Sequence, residues 1–280
     1  MLPQFEHRVL SSFSLFVDHR ILQSGQAYYA ATGQFYPVRN QGFANYYSYA
    51  CPYKQLVSDA SITGATVLTG VYLNSNLIGI GQSGLQRINY SEGSVDFSSQ
   101  LASTDVVTGS FSVKEVNVFL TTDADNEIVF QKKFFKYPKF SQTLSGLESN
   151  VYPYPAIFIK KRSSSMTPFA IGGYDLTTLH VRALVISDNS YLSDAVASIL
   201  KDTHMRRFGV VSSTPLDHLY NFTGQIYNYT GLVGGETSPS GSLIQDVNES
   251  SVFTDKFSDQ LAQKNTVSFI DFDISHVRSH

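Results

Sequence analysis

Apolar and polar positions alternate with a period of two along most of this chain, and a period near 3.6 shows clearly only once. Ser61 to Asn74, "SITGATVLTGVYLN", is β-branched and punctuated by glycine. "NLIGIGQSG" and "LQRINYSEGSVDFSS" continue in short strands, and Ser91-Glu92-Gly93-Ser94 between "RINY" and "VDFS" predicts a hairpin turn. "SFSVKEVNVFLTT" alternates at Val116, Val118 and Leu120, Asp123 to Asn126 reads as a turn, and "EIVFQKKFFKY" reads as the returning partner strand. The segment from Val9 to Gln26 alternates in part and reads as strand or extended chain. The exception is "NSYLSDAVASILKD", where Leu192, Ala195, Val196, Ile199 and Leu200 fall at helical spacing. Asp188, Asn189 or Ser190 caps this helix, expected over about 190–202, and Asp194 sits in its first turn.

Breaks divide these elements. Phe35 to Gln55 is aromatic and interrupted by Pro37, Gly42 and Pro52, which predicts a long ordered loop. The polar stretch from Phe140 to Asn150 separates two units, residues 1–145 as a β-rich domain with the aromatic loop and residues 150–280 as an α+β domain. In the second unit "VYPYPAIFIKKR", "FAIGGYD" and "TTLHVRALVISD" read as strands, with "SSSMTP" (Ser163 to Pro168) as a turn or loop. Phe222 to Gly241 ends in "GLVGGETSPSG", read as a mobile loop that orders against a neighbouring subunit. "NTVSFIDFDISHV" ends the chain as a strand with Val267, Phe269 and Phe272 inward. The expected fold is mainly β, with α+β character in the C-terminal half: two antiparallel β-rich units, the second with a helix packed on its sheet.

Composition sharpens this picture. Of 280 residues, 42% are apolar and only 15% charged, against about 25% charged in an average soluble protein. Low charge with 17 tyrosines and 20 phenylalanines suits a β-rich protein and a surface that meets other protein surfaces. Net charge is −3, and the densest basic clusters are Lys132-Lys133, Lys160-Lys161-Arg162 and Arg206-Arg207, too few for nucleic acid as the main ligand. A single cysteine, Cys51, rules out an intramolecular disulfide and a Cys-based zinc site, and reads as a buried small side chain. Glu6 and His7 stand where a signal peptide would be apolar, and no apolar run approaches ~20 residues. The expectation is a chain that folds in the cytoplasm with no membrane span. The sequons at Asn89, Asn221, Asn228 and Asn248 then read as chance.

Candidate chemistry is sparse. Gly172 and Gly173 precede the strand "TTLHVRALVISD", and the strand-to-helix link "SDNS" lacks glycine, so the phosphate cradle of a dinucleotide site is missing where it is needed. "GLVGGETSPSG" lacks the Lys-Ser or Lys-Thr of a phosphate-binding loop. Asp271, Asp273, His276 and His280 lie close in sequence, but on a strand the two aspartates share one face and His276 takes the other. His180, in an apolar strand, reads as a hydrogen-bonded sheet residue; His7, His19, His204 and His218 show no regular spacing. No Gly-x-Ser-x-Gly elbow occurs, the nearest miss being "GQSGL" at Gly81 to Leu85. No catalytic residue, cofactor or metal is expected. The aromatic cluster Tyr46, Tyr47, Tyr49 and Tyr53 reads as a subunit contact, with stacking on sugar rings or bases as the alternative.

The aromatic loop "GFANYYSYACPYKQLVSD", the punctuated strands "GVYLNSNLIGIGQSGLQRINYSEGSVDFSS" and the pattern "YPYPAIFIKK…FAIGGYDLTTLHVRALVISDNSYLSDAVASIL" together resemble virion structural proteins of tailed bacteriophages, of the neck, connector or tail-terminator type. The resemblance spans most of the chain and assigns no individual residue a role. It implies a non-enzymatic structural subunit in a ring at the head–tail junction, assembled in the host cytoplasm. Its partners would be copies of itself and other neck, portal or tail proteins, with no sequence-specific nucleic acid and no membrane. The alternative is a virion-associated β-sandwich module that binds carbohydrate or a receptor; a hydrolase with an unreadable triad is the third reading.

Overall fold

The computed structural model describes residues 5–38, 46–135, 151–170, 173–211, 215, 225–233, 241–252 and 265–279. The fold is mainly β, built on two sheets.

The first sheet is antiparallel throughout. Its order is β4 (Asn76–Gly79), β3 (Gly70–Leu73), β7 (Val107–Lys114), β1 (Tyr28–Pro37), β2 (Tyr47–Ala50), β6 (Ser94–Phe97) and β5 (Leu85–Asn89). It folds round one core in a sandwich-like arrangement: Phe35, Phe111 and Val113 from the middle strands meet Val71 and Ile78 from one wing and Leu85, Ile88, Val95 and Phe97 from the other. The hairpin expected at Ser91–Ser94 forms between β5 and β6, with Asn89 paired to Ser94. Gly93 has φ +62°, and a Cβ there would lie 1.8 Å from the Tyr53 carbonyl oxygen, so only glycine fits.

The second sheet has the order β13 (Arg207–Phe208), β14 (Ser242–Val252), β15 (Thr266–Ser279), β12 (Tyr174–Ser187), β11 (Ala156–Ala170) and β8 (Asn117–Leu120). Its long strands pair antiparallel, whereas β8 runs parallel to β11. Alternation sends Leu179, Val181, Ala183, Ile270, Phe272 and Ile274 to one face. That face is covered by α1 (Phe5–Ser24) and α3 (Ser190–Lys201). Leu184, Ile186 and Val267 reach the other face, under α2 (Asp125–Gln131) and the small parallel pair of β9 (Lys133–Phe135) and β10 (Val151–Pro153). Phe269 and Phe272, both expected inward, therefore lie on opposite faces.

α3 matches the helix expected at 190–202. The Asn189 side chain caps it by accepting the Leu192 N–H at 2.8 Å. Val196 and Leu200 are buried as expected, but Ser193 and Ala197 take the buried places and Ala195 faces solvent.

Four expectations are corrected. The stretch Phe35 to Gln55, expected as a loop, holds the end of β1 and all of β2. Val9 to Ser24 is helix, not strand. α1 is covered on nearly every side: Val9 to His19 are all buried, Ser12 Oγ donates to the Arg8 carbonyl at 2.6 Å, and Gly25 closes the helix on the Ile21 carbonyl. The expected hairpin from Val116 to Phe135 does not form. "SFSVKEVNVFL" is broken at Glu115–Val116, where the chain leaves the first sheet (β7) for the second (β8), and the next segment turns into α2. Glu127 starts α2 by accepting the Ala124 N–H at 3.0 Å. Lastly, Ser163–Pro168 is not a turn but the outer part of β11, whose pairing with β12 runs on to Ala170 and Tyr174, with Gly173 beside it at φ +87°.

The two cores follow the two sheets, yet α1 and β8, both before residue 145, belong to the core of the second sheet. The segments expected to break at 140–150 and to form the glycine-rich loop at 234–240 lie outside the described residues.

Candidate functional site

Tyr46, Tyr47, Tyr49 and Tyr53 do not form one cluster. Tyr46 and Tyr47 are exposed at the start of β2. Tyr49 is buried, its hydroxyl accepting the Leu101 N–H at 3.0 Å. Tyr53 is half-buried and stands edge-on to Phe111 and Tyr29.

Other surface aromatics are gathered by strand register. Phe35, Val107 and Leu73 are paired across three strands and point to the core. One residue along each strand, the opposite face carries Tyr36 and Val106, then Tyr72 and its β4 partner Leu77. All four are exposed, Leu77 by 64%. They make one apolar patch on the outside of the first sheet, of the kind that marks an interaction surface. Periodicity could have located it only with the pairing known, since the four residues span 71 positions of sequence.

Among the described residues, the second sheet carries open edges. On its outer side β11 is paired with β8 only from Ala156 to Ile159. From Lys161 to Pro168 all eight residues are exposed, on both faces. At the opposite side of the sheet β14 is paired with β13 only at Ser242 and Leu243, and its Ile244 N–H and C=O are taken by Arg206 and Met205. Beyond a bulge after Ile244, the outer edge of β14 meets no strand among the described residues. Unpaired edges of this length template strand addition unless they are blunted or used.

The described residues of the motifs weighed as catalytic or ligand sites make internal contacts. The β12-to-α3 link carries no glycine, and the amide a phosphate would use, that of Leu192, is taken by the Asn189 cap. Asp271 and Asp273 share one face and His276 takes the other, as expected. Arg182 grips Asp271 with two bonds of 2.7 Å, and this hydrogen bonding, joined by that to Asp125, pushes the guanidinium pKa further up. Asp273 holds His180 at 2.5 Å, while His276 lies 3.1 Å from Ser242 Oγ and packs on Phe5. His280 is outside the described residues, and among those described no three His, Cys, Asp or Glu groups converge as metal ligands. Cys51 is buried, and burial pushes its thiol up to about 12.

One constellation had no sequence signal. Neighbouring residues of α1, Asp18 and His19, enter separate buried pairs. Lys114 Nζ bonds both Asp18 oxygens at 2.8 Å, and Tyr227 donates to the same carboxylate at 3.1 Å. Asp59 Oδ2 lies 2.7 Å from His19 Nδ1, and its Oδ1 accepts from the Ser61 amide and hydroxyl and from the Tyr229 amide. Burial pushes the Asp59 carboxyl up, but the bonds from His19, Ser61 and Tyr229 outweigh it and hold the group below its ordinary value. Burial and the nearby carboxylates of Asp18 and Asp59 raise Tyr227 well above the usual phenol range. The His–Asp pair has the look of a hydrolytic dyad, yet Ser61 bonds the carboxylate instead of the imidazole, and His19 and Asp59 are 2% and 0% exposed. The arrangement locks α1 to the first sheet and to residues 227–229.

Comparison with protein-family models and with curated proteins gives no match. Among the described residues no helix is long and apolar enough to cross a membrane.

Proposed function

We propose that this chain is a structural subunit of a tailed-phage virion. In this reading it assembles with its own copies into a ring at the head–tail junction, alongside other neck, portal or tail proteins, and works by contact without catalysis. The observation that carries the reading is the pair of edges, those of β11 and β14 on opposite sides of one sheet, that are left largely unpaired among the described residues. A subunit with two different bonding edges joins head to tail, and head-to-tail contacts that close generate rings. The phage setting rests on the resemblance of the sequence. Low charge and the apolar patch of Tyr36, Tyr72, Leu77 and Val106 supply further contact area for a neighbouring virion protein. Electron-microscopic class averages of the purified chain test this: rings of uniform rotational symmetry are expected, and isolated 31.0 kDa particles would overturn it.

The same aromatic patch favours a second reading, a carbohydrate- or receptor-binding module, because exposed tyrosines stack on sugar rings. Trimeric spikes with a glycan-array signal lost in Tyr72→Ala would mark that outcome.

A further inference from the structure

We infer that the outer face of the first sheet binds an uncharged glycan chain, laid diagonally from Tyr72 to Tyr36. This inference rests on the second reading of that face, names its ligand class, and is independent of how copies of the chain assemble.

Strand register builds the face. Tyr72 pairs with Thr108, and Thr108 with Gln34. Alternation turns these three outward together with Leu77, the β4 partner of Tyr72. Two residues along β1 from Gln34 stands Tyr36, beside Val106. Two residues the other way stand Thr32 and its β7 partner Ser110, and the paired Gly70 and Gly79 continue that row without side chains. Gln34, Thr32 and Ser110 are exposed, and Thr108 is half-buried.

Charge selects the ligand class. β1, β3, β4 and β7 together contain one charged side chain, Lys114, and it is buried against Asp18. At the rim, Asp105 is engaged by the Asn74 side-chain amide at 2.7 Å and the Ala102 N–H at 2.9 Å. Four adjacent strands that expose no charge offer nothing to a phosphate, a sulfate, or an acidic or basic peptide. Neutral partners remain.

Size and composition separate a sugar from a protein. Four strands about 4.8 Å apart and three outward rows about 6.8 Å apart make a face of roughly 400 Å². A stable protein contact covers about 800 Å² on each partner, and such contacts are poor in serine. A sugar ring asks for an apolar plane to stack on and for hydroxyl or amide groups to meet its own hydroxyls. Tyr36 and Tyr72 supply the planes, and Gln34, Thr108, Thr32 and Ser110 supply the rest. Tyr36 lies two strands across and two residues along from Tyr72, a separation of about 12 Å. One sugar ring cannot reach both tyrosines. A short oligosaccharide can, with Thr108 and Gln34 beneath its middle.

The test is an array of neutral and acidic oligosaccharides graded by length. Thermal melts and mass photometry show whether each variant keeps the fold and the oligomeric state of the wild type. Binding is expected for neutral chains longer than a disaccharide, not for monosaccharides, and unchanged between about 50 and about 500 mM salt. Tyr36→Ala and Tyr72→Ala are each expected to weaken it about tenfold, whereas Tyr36→Phe and Tyr72→Phe keep the stacking plane and retain it. Binding that survives both alanine changes, prefers acidic sugars, or is matched by a monosaccharide would overturn this face while leaving a carbohydrate reading standing. No binding to any glycan would remove both. Alanine variants that lose the wild-type oligomeric state would mark the face as a protein contact and overturn the inference.

Discussion

Replacing Lys114 by methionine isolates the weight of the buried junction between α1 and the first sheet. Lys114 is 2% exposed and Asp18 0%, and the ammonium makes two 2.8 Å bonds to the carboxylate. Methionine keeps much of the side-chain length and removes the charge, leaving Asp18 buried without its cation and bonded by the Tyr227 hydroxyl. Breaking a buried pair by deleting one partner costs about 3–5 kcal/mol. Unfolding entropy of about 2.1 cal/mol/K per residue, taken over 280 residues, gives roughly 0.6 kcal/mol/K. The expected fall in Tm is therefore roughly 5–8 °C. A second change, Asp18→Asn in the Lys114→Met background, removes the unpaired carboxyl and keeps an acceptor for Tyr227. It is expected to recover at least half of the loss, because a buried pair replaced by neutral groups is often no less stable. Circular-dichroism melts of the four members of this cycle at pH 7 provide the readout. A Lys114→Met melt within about 1 °C of wild type, or a double variant less stable than Lys114→Met, would refute the reasoning.

Three further outcomes follow from local geometry. Gly93→Ala forces a methyl to within 1.8 Å of the Tyr53 carbonyl at φ +62°, so a loss of at least about 3 kcal/mol is expected in chemical denaturation. Asn189→Ala removes the α3 cap and is expected to cost about 1 kcal/mol by the same measurement, with Asn189→Asp close to wild type. For pH, the depressed Asp59 group contributes stability that is complete above the unfolded carboxylate value of about 3.9 and is lost as pH falls through its lower folded value. Tyr227, whose folded value is raised, contributes stability that is complete below about pH 10 and fades above it. Asp59→Asn should thus flatten the acid limb of the Tm–pH curve and, by removing one of the two carboxylates that raise Tyr227, make the alkaline limb shallower as well.

The elements legible in the sequence were those with one wet face. α3 shows its period because Tyr191, Asp194 and Ala195 face water while Val196 and Leu200 do not, and β5–β6 shows its turn because Gly93 is required there. α1 was illegible for the opposite reason: with Ser11, Ser12, Ser14, Asp18 and His19 buried beside the apolar residues, no stripe remains to betray a 3.6 period. The alternation of Val116, Val118 and Leu120 lies wholly beyond the crossover from β7 to the second sheet, which pattern alone does not separate from one strand. "SSSMTP" has turn composition, but an edge strand exposed on both faces tolerates serine and proline equally well. Of the tyrosines singled out as a contact, Tyr46 and Tyr47 reach the surface, and Tyr49 and Tyr53 went inward because their rings complete the first core. The open edges, like the Asp18–Lys114 pair 96 residues apart, exist only once strands are ordered.

The claim on which the account turns is that this chain bonds to its own copies through two unlike edges. Native mass spectrometry of the wild-type chain, diluted through the micromolar range, measures this most directly. The account predicts one closed species, a six-fold or twelve-fold multiple of 31.0 kDa, with no ladder of intermediate sizes. A mass of 31.0 kDa at every concentration, or a dimer that grows no further, would contradict it.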